Sequence, residues 1–307
     1  MVALVGYTGF VGSNIMEMGQ IDRAYHSKNI ADAYGTRPEL LIYAGLRAEK
    51  YLANQDPGKD METILEAERN IAAIAPKRLV LISTVDVYQN PNGVDENSRI
   101  VTEGLQAYGA NRYALECWVR EHYPDALIIR LPALFGKNIK KNFIYDYINY
   151  IPFMLKKEKM AELVQKDAGL LEIYEQQDNG FYRCKVLSPQ EKTKWKQRFA
   201  KLGFSALNFT DSRSRYQFYP LERLWDDIQI ALRENILLMN PATEPVSVAE
   251  IYEYLTGEKF LNELFGQPVS YDYGTLYGEL FGGMGRYIMG KEEVLREIQT
   301  FVKREQG

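Results

Sequence analysis

Histidine is almost absent from this chain: His26 and His122 are the only two in 307 residues. A histidine-built zinc site or a Ser-His-Asp triad would have to draw on one of them, so much hydrolytic and metal chemistry is excluded and no metal is expected. Cysteine is as scarce, with Cys117 and Cys184 alone. That suggests no disulfide framework, and the reducing cytoplasm is the expected compartment. No apolar run approaches the roughly 20 residues that cross a bilayer, so no membrane partner is expected. The opening Met1-Val2-Ala3-Leu4-Val5-Gly6 lacks the charged flank and cleavage site of a secretory signal and reads as structure. An excess of one charge is missing too: Lys+Arg 37 against Asp+Glu 41 gives a net charge of -4. Nucleic acid or an anionic surface would favour a basic stripe, so neither is an expected partner.

What is present is an ordinary globular composition, 46% hydrophobic and 25% charged, long enough for one large α/β domain or one with a smaller companion. Short apolar runs alternate with helical patterns in the first half, the signature of βαβ units and a parallel sheet. The pattern predicts strands at residues 2–5, near 22–27, and at 39–44, 79–84 and 127–131. Met61, Ile64, Leu65, Ile71, Ala72 and Ala75 recur at helical spacing before Pro76, and a second helix is predicted from Glu103 to His122. Beyond Gly136 the texture changes to tyrosine-rich and charged. There Asp178-Asn179-Gly180 between apolar runs predicts a hairpin. Ser188-Pro189-Gln190-Glu191 predicts a capped helix that stops at Gly203, and Ser247 to Glu250 repeats the capping pattern. Residues 274–290, rich in glycine and tyrosine, read equally as a flap or as a surface loop before a last helix.

Gly6, Gly9 and Gly12 follow the first strand at three-residue spacing and enter a helix. A tight turn, close approach of backbone to a pyrophosphate and close helix packing all call for glycine there. The free N–H groups of the helix start then bind phosphate charge, with Thr8, Phe10 and Val11 lining the same turn. The fold expected is therefore a Rossmann doubly wound parallel sheet with a smaller α+β substrate-binding cap. Residues 1–136 form the dinucleotide-binding part, with 216–245 returning to it, and residues 137–215 and 246–307 form the cap. An acid normally grips the adenosine ribose at the end of the second strand. Here the segment is Tyr25-His26-Ser27-Lys28-Asn29, in which Ser27 and Lys28 would accept a 2′-phosphate, so NADP is favoured over NAD.

Further along stand Tyr43-Ala44-Gly45, Ser83-Thr84 with Tyr88, Tyr108-x-x-x-Arg112, and Arg130-Leu131-Pro132 through Phe135-Gly136. Their order and spacing, with the glycine turn, resemble the extended short-chain dehydrogenase/reductase family of nucleotide-sugar epimerases, dehydratases and reductases. Within it the similarity is greatest to the dTDP-4-dehydrorhamnose reductase branch, over residues 1–137 and more loosely 215–255. The resemblance implies that Tyr108 is the general acid/base and that Thr84, rather than Ser83, hydrogen-bonds the same substrate oxygen. It implies cofactor contacts at Ala44 and Gly45. It also implies that the basic residue four after the tyrosine binds the nicotinamide ribose and lowers the phenol pKa.

That residue is Arg112, where the family has lysine. Bringing a phenol from about 10 to neutrality needs about 4 kcal/mol. One positive charge about 4 Å away supplies about that much at an effective dielectric near 20. The charge therefore survives the exchange, whereas the compact ammonium and any proton relay do not. Substrate contacts are expected from Asp86 at the strand end, from Lys141 and Asn142, and from Arg215, which implies a small-molecule substrate such as a nucleotide sugar. Ala133 stands where many relatives carry a phosphate-contacting asparagine. Reduction, epimerisation and dehydration share this core, and the sequence does not choose among them. A catalytically weakened nucleotide sensor or scaffold is the alternative that Arg112 raises, and a reductase of small carbonyls or lipids is a third. A homodimer through the two long helices is the fold-level expectation.

Overall fold

Four successive apolar residues, Val2–Val5, form β1, and all but the first are buried, as an interior parallel strand requires. The computed structural model describes residues 1–306. From β1 the chain runs through α1 (Phe10–Met18), β2 (Arg23–Tyr25), β3 (Leu40–Tyr43), α2 (Lys50–Gln55), α3 (Pro57–Ile74), β4 (Leu79–Thr84), α4 (Ala107–His122) and β5 (Leu127–Leu131). With Leu238–Met239 these strands make a six-stranded sheet, parallel at every pairing, in the order β2-β1-β3-β4-β5 and then 238–239. The order reverses at β1, which pairs β2 on one side and β3 on the other, so a crevice opens beyond the carboxyl ends of β1 and β3.

Local chemistry sets the helix limits. The side chain of Asp56 accepts from the Lys59 amide at 3.0 Å and Pro57 follows it, so α3 starts four residues before the predicted apolar stripe. It ends at Ala75 in the left-handed region (φ 54), just ahead of Pro76. The helix expected from Glu103 begins instead at Ala107, because Gly104 (φ +73) turns the chain and Gln106 is extended. Tyr108 consequently lies in the first turn of α4, its amide donating to Asn54 Oδ1 at 2.9 Å.

A buried ionic network joins β4, α4 and β5. Glu116, with no exposed surface, accepts from Arg130 Nη2 at 2.6 Å and from Ser83 Oγ at 2.6 Å. Arg130 Nη1 donates to the Tyr88 hydroxyl at 2.7 Å, which itself donates to the Asp95 carbonyl.

The chain divides into two compact units, residues 1–139, 215–247 and 269–299 in the first, and 140–214, 248–268 and 300–307 in the second. Residues 269–299, read from the sequence as part of the cap, fall in the first unit with the six-stranded sheet. The reason is a set of polar anchors: Gly274 N to Val94 O (2.7 Å), Thr275 Oγ1 to Glu96 (2.6 Å) and Ile288 N to Ala242 O (2.8 Å). The second unit holds α5 (Phe143–Asn149), α6 (Lys157–Lys166), α7 (Pro189–Leu202) and a three-stranded antiparallel sheet. The predicted hairpin pairs Tyr174–Gln176 with Tyr182–Cys184 across Gly180 (φ +80). The Ser188–Glu191 capping box opens α7, and Gly203 (φ 64) closes it.

Because removing one partner leaves the other charge buried alone, Glu116→Ala should lower the unfolding free energy by about 3–5 kcal/mol. Denaturant titration checks this, and a loss below about 1 kcal/mol would contradict the network's role. Burial lifts the Asp146 carboxyl to about 7, so the folded chain holds a proton that the unfolded chain sheds near pH 4. Stability should therefore fall as pH rises from about 4 to about 7, and Asp146→Asn should gain on the wild type across that window in thermal melts.

Candidate functional site

Gly6 sits at the carboxyl end of β1 with φ +92, and its amide donates to the Tyr25 carbonyl at 2.8 Å. A Cβ at Gly6 would lie 2.3 Å from the Ala44 carbonyl oxygen, and one at Gly12 would lie 2.2 Å from the Gly6 carbonyl oxygen. Both positions therefore admit only glycine. Gly9 is the N-cap of α1, with no side-chain cap and no acid in the first turn. The first turn, Phe10-Val11-Gly12, thus presents its amides and the positive end of the helix dipole to the crevice without a competing side chain. Thr8 is exposed on the same loop. Ala44 and Gly45 continue β3 past its end, with the Ala44 amide on the Val5 carbonyl at 2.9 Å.

β2 ends at Tyr25, two residues earlier than predicted, and His26–Asn29 folds into a turn held by Asn29 Oδ1 on the His26 amide at 2.8 Å. Ser27 and Lys28 are exposed there, and no acid stands within the turn. The His26 ring lies 5.5 Å from that of Tyr7, which ties this turn to the glycine loop.

Thr84 and Tyr108 come together as the resemblance implied. β4 delivers Thr84 at its last residue and α4 delivers Tyr108 in its first turn, so the Thr84 side chain acts on the phenol and lowers its pKa. Gly109 lets α4 dock, since a Cβ there would meet the Asp86 carbonyl oxygen at 2.0 Å. Ser83 is committed to Glu116 and so is not available to a substrate.

The Arg112 guanidinium lies over the face of the Tyr108 ring, 4.1 Å from the centroid, and its charge acts to lower the phenol pKa. Nη1 is paired with Asp60, and Nη2 donates to the Arg47 carbonyl at 2.8 Å. Asp60 also accepts from Asn111 Nδ2 at 2.9 Å. Arg112 is 4% exposed, so this is a buried ion pair whose charge is largely spent locally. Burial raises the Tyr108 phenol above its ordinary value; Arg112 opposes this, the Asp86 charge adds to it, and the Thr84 hydrogen bond opposes it. The phenol is therefore not made acidic, because desolvation outweighs a cation already neutralised by a carboxylate.

Asp86 stands beside this pair, and its Oδ1 accepts from Lys50 Nζ at 2.8 Å and from the Tyr271 hydroxyl at 3.0 Å. Arg215 belongs to the first unit, on a short strand that bonds Tyr271 through its carbonyl at 3.1 Å, and its own side chain is exposed. Lys141 and Asn142 fall in the second unit. Asn142 is the N-cap of α5, its side-chain oxygen accepting from Ile144 and Tyr145 amides at 3.0 and 3.2 Å, so that oxygen is taken. Lys50, Asp60 and Tyr271 escaped the sequence reading. None sits at a motif spacing, and each reaches the site only through folding. Among the described residues no group of three or more His, Cys, Asp or Glu side chains is placed to hold a metal, and no helix is long and apolar enough to cross a membrane.

No family model and no curated protein matches the sequence. Solved structures do match in fold. A dTDP-4-dehydrorhamnose reductase from Bacillus anthracis, in complex with NADP, aligns over 99% of this chain and 98% of its own with TM-score 0.62 and 17% identity. A UDP-N-acetylglucosamine 4-epimerase from Methanobrevibacter ruminantium, bound to UDP-N-acetylmuramic acid, covers 98% and 96% with TM-score 0.62 and 13% identity. A short-chain dehydrogenase/reductase superfamily protein from Agrobacterium tumefaciens, with bound NAD, covers 99% and 97% with TM-score 0.60 and 15% identity. Along essentially its whole length, this chain shares the Rossmann-type fold of these proteins.

Proposed function

We propose that the chain is an NAD(P)-dependent oxidoreductase, epimerase or dehydratase of the short-chain dehydrogenase type, acting on a nucleotide sugar with Tyr108 as acid/base. The observation that carries this reading is the joint placement of an uncapped, glycine-walled helix start at the reversal point of the sheet and of Thr84, at the end of β4, beside Tyr108, in the first turn of α4. The reductase and epimerase likenesses, with their bound NADP, NAD and UDP-linked ligand, support it at the level of fold.

The residues fit a dinucleotide. Gly6, Gly9 and Gly12 leave room where a Cβ would fill the turn, and the α1 amides at Phe10, Val11 and Gly12 supply donors for a pyrophosphate. Ser27 and Lys28, without an acid between them and Tyr25, suit a 2′-phosphate, which favours NADP over NAD. Ala44 and Gly45 border the same crevice. A nicotinamide dinucleotide supplies hydride donation and acceptance. The chain's own part is the proton: Thr84 orients the substrate oxygen, and Tyr108 Oη gives it a proton as a carbonyl becomes a hydroxyl, or takes one in reverse. A phenol held above its ordinary value stays protonated at neutral pH, so the proton that a carbonyl would take up is in place.

A specific observation favours the second reading, a nucleotide-binding sensor or scaffold: Arg112 is held in a buried ion pair with Asp60. Two measurements separate the readings. Fluorescence titration should give tighter binding of NADPH than of NADH, and Lys28→Glu should reverse that order; an unchanged order would remove Lys28 from the cofactor site. With dTDP- and UDP-linked 4-keto sugars, Tyr108→Phe should lose about 10²–10⁴-fold in cofactor consumption while NADPH binding stays within about twofold. Tight NADPH binding with no consumption by the wild type across that panel, and activity gained in Arg112→Lys, would establish the sensor.

A further inference from the structure

The environment of Tyr108 contains two carboxylates and two cations, arranged as two ion pairs. Asp60 takes Arg112 from within α3, and Asp86, after β4, takes Lys50 from the start of α2. The groups facing the phenol are thus Arg112 on its own helix, Asp60 on α3, Thr84 at the end of β4, Asp86 just after it, and Tyr271, whose hydroxyl shares Asp86 Oδ1 with the lysine. Asp86 is the carboxylate without a buried guanidinium to balance it. Unpaired, its charge would oppose formation of a phenolate beside it and would be free to swing away from the Tyr271 hydroxyl. The only ammonium on it is Lys50 Nζ, 2.8 Å from Oδ1, with about half of the lysine side chain (44%) still exposed.

We propose that Lys50 is a positioning residue for Tyr108: clamped on Asp86, its ammonium offsets the carboxylate charge beside the phenol and holds Asp86 on Tyr271, a task Arg112 leaves undone because it is paired with Asp60. This rests on the reading of Tyr108 as the acid/base. It relocates the titratable amine of the site from α4 to α2, where it acts through Asp86 and not by touching the phenol. Lysine suits the place, since a single compact ammonium on a flexible stem can remain on Asp86 from a partly exposed helix start, whereas a guanidinium is held by its fork. A half-exposed ion pair adds little to stability, so an electrostatic role is the stronger reason for the contact.

The test needs neither substrate nor cofactor, so its outcome is independent of whether the chain turns over a sugar nucleotide. Protein is produced with fluorotyrosine, the Tyr108 resonance is assigned by its loss in Tyr108→Phe, and its ionisation is followed by fluorine NMR. Lys50→Met should raise the Tyr108 pKa by about half a unit or more, and Lys50→Arg should restore most of it. In an Asp86→Asn background, Lys50→Met should cause no further shift, as a double-mutant cycle through Asp86 requires. Circular dichroism of each variant confirms that the fold is intact. Once a substrate is in hand, the alkaline limb of the kcat–pH profile should move by the same amount. An unchanged Tyr108 titration in Lys50→Met, or an equal rise with and without Asp86, overturns the proposal.

Discussion

The buried pairing of Glu116 with Arg130 is the interaction on which the arrangement around Tyr108 depends. One carboxylate without exposed surface receives a forked guanidinium from β5 and a hydroxyl from β4, and it is carried on α4. Helix and strands are thereby fixed against each other by charge, which tolerates less sliding than apolar packing does. Tyr108 stands two turns before Glu116 on the same helix, and Thr84 directly follows Ser83. The network that satisfies Glu116 therefore also sets the separation of Thr84 and Tyr108. Gly109 completes the constraint, since any larger residue would push α4 off the Asp86 carbonyl.

Around the phenol, burial and charge work against each other. Desolvation keeps Tyr108 neutral, and the two ion pairs leave little net field to reverse it. A phenol in that condition stays protonated near neutrality. The glycine turn is governed by a different constraint, the near contact of backbones. Gly6 touches the Ala44 carbonyl and Gly12 touches Gly6, so β1, β3 and α1 meet at a point where side chains are excluded and amides remain unclaimed.

The second unit supplies its own example of chemistry read correctly at one scale and not at another. The capping box at Ser188 and the hairpin across Gly180 follow from side-chain groups within a few residues, and both are present. Asn142 belongs to the same category of short-range chemistry, its side-chain oxygen capping α5. An asparagine immediately ahead of an apolar helical run is as much a cap signal as a recognition signal.

By itself the sequence determined the parallel sheet and the glycine turn, because these rest on periodicities and spacings within single strand–helix units. The late start of α4 was less legible, since Gly104 and the extended Gln106 compete with a helical pattern that continues back to Glu103. Only the tertiary structure decided what Arg112 does. Its charge was visible at position 112, but its partner Asp60 lies 52 residues away on a neighbouring helix. The same holds for Lys50 on Asp86 and for residues 269–299 joining the first unit through Glu96 and Val94. A charge acts through distance and dielectric, and both are properties of the folded chain.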